Sequence, residues 1–435
     1  MVVGPLLIIG AALVLSFVGA HVMKRVGIPQ ILGFMLAGVI LAVSGLFDSG
    51  TRQSFYPIVD LALGLIGYNI GLEIRKDVFR GKTRQMGTIL FLESALTFLI
   101  VSLLAYWVTQ QVHIAMVFGA VASATDPAST VMVIWENRCR GNMTDTLMFV
   151  LALDDVVAIL LANASIALAV IFYAVPGTLT ILDAILMTMW DLGLSAILGG
   201  VAGFAMVQFI NAEKDRSRLL ELELGVIILL VGAMLFLEIS PILACMVFGY
   251  VVGNWVDPEK DPVNHTLKTV MTPIVMIFFV FVGASIDLSI LASTAVIVLA
   301  IAYVVGRSFA KYFGAFAGAK ISGTAEPTRK YVGLCLMSQA GVAVGLTLIV
   351  ERSFLALNNP EATLAGVLIL NVVALTTMIL QVFGPISAKI ALARAGETPE
   401  ELGKSLISAS EEGPSVTANA NPVSENEGED ESPNE

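Results

Sequence analysis

Residues 123–130 read SATDPAST, a polar stretch inside a segment that is otherwise apolar from residue 113 to residue 134. Pro127 lacks a backbone N–H, and its ring clashes with the preceding helical turn, so a helix through this segment must bend or break. Irregular backbone at membrane depth occurs only where protein or a water-filled cavity surrounds it. This stretch alone is compatible with a simple proline kink and with a broken helix beside a polar cavity.

The rest of the chain is strongly apolar. Of its 435 residues, 57% are hydrophobic and 14% are charged, and the mean hydropathy is +0.87. Apolar runs of about 18 or more residues recur from end to end, which indicates membrane-spanning helices rather than a single signal peptide. The three cysteines and three histidines are far apart and form no metal-ligand cluster. We therefore expect an all-α polytopic membrane protein that needs no cofactor.

Apolar runs separated by polar residues predict about thirteen transmembrane helices. The predicted helices cover approximately residues 2–20, 28–46, 57–74, 86–108, 113–134, 144–172, 181–210, 219–238, 240–256, 269–286, 288–318, 331–350 and 361–393. The division of residues 219–256 into two helices depends only on the short break Glu238-Ile-Ser-Pro241.

Lysine and arginine occur in alternate loops between these helices. Six alternate loops together contain seventeen such residues, whereas the other loops contain two, Arg52 and Arg352. Cytoplasmic loops are enriched in basic residues. This distribution predicts a multi-pass protein of the cell (inner) membrane with its N-terminus outside and its C-terminus in the cytoplasm.

The C-terminal segment differs from the rest of the chain. Residues 395–435 contain eleven Asp or Glu against one lysine, and these residues account for most of the net charge of −11. A segment with this composition cannot bury enough apolar surface to fold. We therefore divide the chain into a membrane domain, residues 1–394, and a disordered acidic cytoplasmic tail, residues 395–435.

Four charged residues fall near the middle of predicted helices. Asp154 and Asp155 lie in the sixth helix, Asp126 in the fifth and Arg307 in the eleventh, all at similar depth when a helix rises about 1.5 Å per residue. A charge at this depth costs about 2.5–3.5 kcal/mol and usually lines a path for ions or protons. An ion pair with Arg307 could be purely structural, but three carboxylates leave negative charge unpaired. The cluster predicts a site for a cation or a proton.

A second interrupted helix matches the first. In the predicted twelfth helix, residues 338–345 read SQAGVAVG, so that Ser338, Gln339 and Gly341 break the apolar pattern. The two interrupted helices are seven helices apart and run in opposite directions by the loop count. Such pairs indicate inverted repeats around a midplane site. We predict repeats formed by helices 1–6 and 8–13, with the broken helices crossing at Pro127 and at residues 338–341.

Six stretches together resemble the monovalent cation–proton antiporter superfamily. They are KRVGIPQILGFMLAGVIL (residues 24–41), GAVASATDPASTVMV (119–133), LALDDVVAILL (151–161), FFVFVGASIDL (278–288), VVGRSF (304–309) and LMSQAGVAVGL (336–346). Each stretch alone is a weak signal, but their order and spacing are specific. The resemblance covers about residues 5–390.

The resemblance implies a core that moves against a scaffold. The scaffold helices would cover about residues 2–74 and 219–286, and the core helices about residues 86–172 and 288–393. The scaffold of such proteins usually forms a homodimer. The position of Asp155 binds the transported cation and the proton in turn, and those of Asp154, Thr125 and Asp126 complete the cation site. Arg307 matches the basic residue of the eleventh helix.

Two features depart from the usual pattern of this superfamily. Electroneutral members usually have Asn-Asp where this chain has Asp154-Asp155, and double-Asp members often have lysine where this chain has Arg307. The acid that helps to hold the arginine in the Asn-Asp branch is replaced here by Val150. We therefore expect Arg307 to pair with Asp154. The proton-to-cation stoichiometry stays open.

The sequence thus predicts a secondary active transporter that exchanges protons for Na⁺ or K⁺ by alternating access. Such an activity would serve pH homeostasis. A potassium efflux system or a solute symporter of the same fold is the alternative. We expect no enzymatic activity, because the Gly-x-Gly-Asp context of intramembrane aspartyl proteases is absent around Asp155. The only metal expected at the site is the transported cation on Asp155.

Overall fold

The computed structural model describes residues 4–47, 49–76, 83–173, 180–213, 215–256, 263–289 and 293–399. All regular secondary structure within these ranges is helical. In the first half, the helices are α1 (Pro5–Val26), α2 (Gln30–Val43), α3 (Ser49–Glu73), α4 (Thr83–Thr109), α5 (Val112–Ser123), α6 (Pro127–Glu136), α7 (Asn142–Tyr173) and α8 (Ile181–Ala212). In the second half, they are α9 (Arg216–Phe236), α10 (Pro241–Trp255), α11 (Val263–Ala284), α12 (Thr294–Ile321), α13 (Glu326–Tyr331), α14 (Gly341–Ala356) and α15 (Pro360–Arg394).

These helices follow the predicted order of spans. Within the described residues, ten helical segments are long and apolar enough to cross a membrane, and α5 and α6 together form one of them. A bent pair, Glu326–Leu336 with Gly341–Ala356, makes an eleventh, with an angle of 46° between its parts. The helices Gln30–Val43 and Pro241–Trp255 are apolar but shorter. The all-α polytopic fold is confirmed, whereas the count of thirteen spans stays a prediction.

Small residues bring neighbouring helices into backbone contact. On α12, Gly314 and Gly318 face α4 so closely that an added Cβ would lie 2.6 Å from the Cα of Glu93 or Ile89, respectively. Two glycines four residues apart are a common device for close packing of membrane helices. This contact holds the middle of α4 against α12. The buried polar side chains of the two helices therefore lie close together.

The helices pack in two groups. Helix α10 packs along α3 and α8, and α11 packs along α2, whereas α4 packs on α5 and α12, and α14 packs on α15. A cavity lies between the two groups, and it is lined by α3 from the first group and by the break between α5 and α6 from the second. The scaffold and core domains proposed above would correspond to these groups, with α8 between them.

The last described residues contact the helix that carries the two aspartates. The Glu397 carboxylate accepts hydrogen bonds from the backbone N–H groups of Met143 (2.7 Å) and Thr144 (2.8 Å) at the start of α7. A carboxylate is favourable there, because the N-terminus of a helix carries partial positive charge. Gly141 leaves room for this carboxylate. Residues 400–435 of the predicted acidic tail lie outside the described residues.

Candidate functional site

Two interrupted helices cross at the centre of the molecule. Helix α5 ends at Ser123 and α6 begins at Pro127, while a 3₁₀ turn, Val332–Leu336, ends before α14 begins at Gly341. The backbone N–H of Asp126 donates to the carbonyl of Ser338 (3.1 Å), so the two breaks touch. The predicted crossing at Pro127 and residues 338–341 is therefore present.

Arg307 connects the two breaks. Its Nε donates to the carbonyl of Ala122 (3.0 Å), and its two terminal nitrogens donate to those of Ala124 (2.8 Å), Met337 (2.7 Å) and Ser338 (3.1 Å). These carbonyls lie at or just beyond the C-terminal ends of α5 and the 3₁₀ turn, where the helix dipole places partial negative charge. A fully buried guanidinium thus neutralises both ends and satisfies four carbonyls.

The expected pairing of Arg307 with Asp154 is wrong. Asp154 pairs instead with Lys311, whose Nζ lies 2.7 Å from its Oδ2 and 2.7 Å from Oε2 of Glu93. The reason is the position of the two residues along α12, since Lys311 lies one helical turn beyond Arg307 on the same face and reaches Asp154 and Glu93. Its Nζ also donates to the carbonyl of Ser123 and to the hydroxyl of Thr125 (3.1 Å) at the α5–α6 break. Four carbonyls at the two breaks are thus acceptors of Arg307, and that of Ser123 accepts from Lys311.

Asp154 has several further partners. The Thr125 hydroxyl donates a short hydrogen bond to its Oδ2, and the Ser94 hydroxyl lies 3.1 Å from its Oδ1. All these side chains are buried. Asp154 does not line the cavity, whereas Thr125 does. The structure therefore places Asp154 behind Thr125 as a partner of Lys311.

Asp155 has a different environment from its neighbour. The residue is completely buried, and among the described residues neither carboxylate oxygen accepts a hydrogen bond of normal geometry. The backbone N–H of Thr125 is directed toward this carboxylate without completing such a bond. A buried, unpaired carboxylate is strongly unfavourable unless a proton or a cation neutralises it. Asp155 is thus the acid of the cluster whose carboxylate the described protein groups do not neutralise.

The Asp155 carboxylate faces a cavity of about 180 Å³. The polar residues that line it are Thr125, Asp126 and Asp155 from one helix group and Asn69 and Glu73 from α3 on the other. Asn69 donates to Glu73 (3.1 Å), which orients that carboxylate. Most other lining side chains are apolar, and they include Ile31, Ile66, Ile70, Met271, Val275 and Phe279.

The remaining predicted residues hold the crossing together. Asp126 accepts from the backbone N–H of Ala128 (3.2 Å) at the start of α6 and from Gln381 Nε2 (2.8 Å). Gln339 donates to the carbonyl of Val121 (3.0 Å). Ser338 contacts the hydroxyl of Thr130 (3.1 Å).

Sequence reasoning missed four residues that the structure brings to the site. They are Glu73, Glu93, Lys311 and Gln381. Glu93 and Lys311 carry the same signal as the predicted residues, a charge inside an apolar span. Glu73 lies at the end of α3, where a charge is unremarkable, and Gln381 is uncharged.

Comparison with known proteins places the chain in a family. A family model described as "Sodium/hydrogen exchanger, transmembrane" matches residues 12–393. The chain therefore belongs to the sodium/hydrogen exchanger family, and the resemblance inferred from the sequence motifs is confirmed.

Individual relatives are distant. The Na⁺/H⁺ antiporter of Enterococcus hirae is 22% identical over 381 residues, which cover 85% of this chain and 96% of that protein. The ammonium/H⁺ antiporter subunit AmhT of Alkalihalophilus pseudofirmus is 22% identical over 292 residues, 66% of this chain and 72% of that protein. The structure of the sodium proton antiporter MjNhaP1 from Methanocaldococcus jannaschii at pH 8 gives a TM-score of 0.76 at 19% identity and covers 90% and 98% of the two chains. This likeness shows that the fold is shared.

Arg307→Ala should destabilise the protein strongly. Each buried carbonyl left without a donor costs about 1–3 kcal/mol, so we expect a loss of at least about 3 kcal/mol and a clearly lower Tm in detergent. Arg218→Ala is the control, because the side chain of this arginine is 72% exposed and its ion pairs with Glu213 and Asp215 lie at the surface. An Arg307→Ala variant that unfolds at the wild-type temperature would contradict the assigned role.

Proposed function

We propose that this chain exchanges protons for Na⁺ or K⁺ by binding either ion at the Asp155 carboxylate, and that it works by alternating access. The observation that carries the proposal is a buried carboxylate that faces a cavity and accepts no hydrogen bond of normal geometry from the described residues. The other acids at the crossing are engaged by protein groups. Asp155 is the carboxylate at which an exchangeable ion is needed.

Competition at one carboxylate explains coupled exchange. Burial favours the neutral form of a carboxyl group, so a proton occupies Asp155 when protons are abundant. When protons are scarce, the ionised carboxylate attracts a monovalent cation. The empty, charged site is costly to carry through the membrane. Only the proton-bound and cation-bound forms would move, which couples the two fluxes.

The cation site we propose is built around Asp155 and Asp126. Both carboxylates line the cavity, and the Thr125 backbone lies next to them. Asp154 contributes through the Thr125 hydroxyl that it holds. Glu73 and Asn69 face the site from α3 and would attract a cation into the cavity. Oxygen ligands of this kind suit hard cations.

Alternating access requires that the path be closed at one end. The cavity lies toward the Glu73 end of α3. Near the other end of α3, Arg52 pairs with Glu351 (3.2 Å), and Arg352 of α14 pairs with Asp60. Both ion pairs join α3 to α14 across the two helix groups. They favour the state in which the cavity is open near Glu73 and closed near Arg52.

The relatives and the cavity bear on which ion is carried. The Enterococcus hirae relative is named for Na⁺ and the Alkalihalophilus pseudofirmus relative for ammonium. A cavity of about 180 Å³ is small beside the roughly 300–1,000 Å³ typical of organic ligands. This size favours a small cation over the solute of a symporter. A potassium efflux system remains the alternative, so Na⁺, K⁺, Li⁺ and NH₄⁺ belong in one assay.

We propose the following orientation and assembly. The seventeen basic residues in one set of loops against two in the other support a C-terminus in the cytoplasm and an N-terminus outside the cell (inner) membrane. The Glu73 end of the cavity then faces the cytoplasm. The resemblance to antiporters supports a homodimer through the scaffold helices.

Asp155→Asn should abolish exchange, because a neutral amide neither releases a proton nor balances a cation. The measurement is cation-dependent proton flux in proteoliposomes with an internal pH dye. Asp145→Asn is the matched control, since Asp145 lies on the same helix but is exposed, and it should keep wild-type flux. Substantial exchange by Asp155→Asn would refute the proposal.

Arg52→Glu should slow exchange several-fold. Arg52 and Glu351 form a partly exposed ion pair between α3 and α14, worth about 1 kcal/mol, and the substitution replaces this attraction with repulsion between two acids. Combining it with Glu351→Arg should restore most of the rate by reversing the pair. The same flux assay measures both variants. A double variant no faster than the single one would argue against a role of this pair in the transport cycle.

A further inference from the structure

We propose that Glu93 is a positioning residue that shares one proton with Asp154 through the Ser94 hydroxyl and gives Lys311 a second carboxylate partner. This inference rests on the proposed function and deepens it, because it concerns the groups directly behind the exchange site. The three groups Glu93, Asp154 and Lys311, with Ser94 between the acids, are called the α4 cluster below.

The position of Ser94 favours a proton in the α4 cluster. Its Oγ lies 2.9 Å from Oε1 of Glu93 and 3.1 Å from Oδ1 of Asp154. A hydroxyl has one hydrogen and can donate to only one of two ionised carboxylates. The second contact becomes a hydrogen bond when one acid is protonated and donates to Ser94 Oγ. The geometry thus accommodates one shared proton and disfavours two ionised acids.

The charge balance leads to the same result. Lys311 has one positive charge and lies 2.7 Å from both carboxylates, and all three side chains are completely buried. Without a proton the α4 cluster would carry a net negative charge in the membrane interior, which is costly. Nearby, Arg307 is bound to backbone carbonyls, and under the proposed function Asp155 is neutralised by the exchanging ion. One proton makes the α4 cluster neutral.

The contacts also indicate which acid holds the proton in this state. Asp154 accepts from Lys311 and from Thr125, as an ionised carboxylate does. Oε2 of Glu93 has no hydrogen bond of normal geometry among the described residues, although Lys311 is close. Glu93 is therefore the acid that donates to Ser94, and Ser94 donates to Asp154.

This chain of hydrogen bonds allows the proton to change places. Glu93 gives its proton to Ser94 Oγ while the Ser94 hydrogen passes to Asp154, which leaves Ser94 unchanged. Glu93 is then the ionised partner of Lys311, and Asp154 is neutral. Lys311 keeps a carboxylate partner in both arrangements, so it never has to release its own proton. Asp155 thus always lies beside an α4 cluster of zero net charge.

Infrared spectroscopy tests the shared proton directly. Protonated carboxyl groups have a carbonyl stretching band separate from that of carboxylates. The variant Asp155→Asn serves as background, since it removes the proton of the exchange site. In this background, we expect the band at pH 8 to lose intensity on Glu93→Gln and equally on Asp154→Asn, because either change leaves one acid ionised with Lys311. Glu361→Gln on exposed Glu361 should leave the band unchanged.

The two variants distinguish a proton shared by Glu93 and Asp154 from a proton held by one acid alone. Retention of the band in Glu93→Gln would show that Glu93 is ionised and would overturn the proposal. Retention only in Asp154→Asn would show that Glu93 is protonated on its own, and the claim of a shared proton would be wrong. If Glu93→Gln or Asp154→Asn does not fold, Glu93→Asp or Asp154→Glu takes its place and should retain the band, because each keeps both acids, and loss of the band there would contradict the proposal. The spectra do not depend on transport, so a failure of Asp155 as the exchange site would appear only in the flux assay.

Discussion

The structure depends on the four hydrogen bonds that Arg307 makes to backbone carbonyls of two broken helices. Breaking two helices at membrane depth exposes polar backbone groups that the bilayer cannot satisfy. One guanidinium satisfies them because it has five donors in a planar arrangement and stays charged. The crossing can exist at this depth only because this residue occupies the space between the two breaks. Arg307 is then no longer available to neutralise an acid.

Arg307 and Lys311 are both engaged by other groups, so that among the described residues neither of them pairs with Asp155. Arg307 neutralises helix ends, and Lys311 is held by Glu93 and Asp154. Asp155 is next to Asp154 in the chain but points to the opposite side of this network, into the cavity. Among the described residues, no protein group neutralises its carboxylate. A transported proton or cation can neutralise it, and neither can do so while the other is bound.

Much of this arrangement follows from the sequence, and the rest depends on helix register. The broken helices at Pro127 and Ser338 and the acids at midplane were predictable, because polar groups are costly in an apolar span. The partner of Arg307 was not, because a displacement of one helical turn along α12 decides whether Arg307 or Lys311 lies at the level of Asp154. In the sequence, Arg52 and Arg352 stand out only as the two basic residues of otherwise non-basic loops. Their partners, Glu351 and Asp60, are far away in the chain and are identified only by the packing of α3 against α14. Glu73 is recognised as a residue of the site only because the structure shows that it lines the cavity.

The most direct measurement of the central claim is the release of protons when a cation binds to the purified protein in weakly buffered solution. Cation binding is followed by calorimetry and proton release by a pH electrode over a range of pH values. If one carboxyl group binds either ion, a proton is released for each cation bound at low pH, and this release decreases to none as Asp155 becomes ionised at higher pH. Cation binding without proton release at any pH would contradict the account.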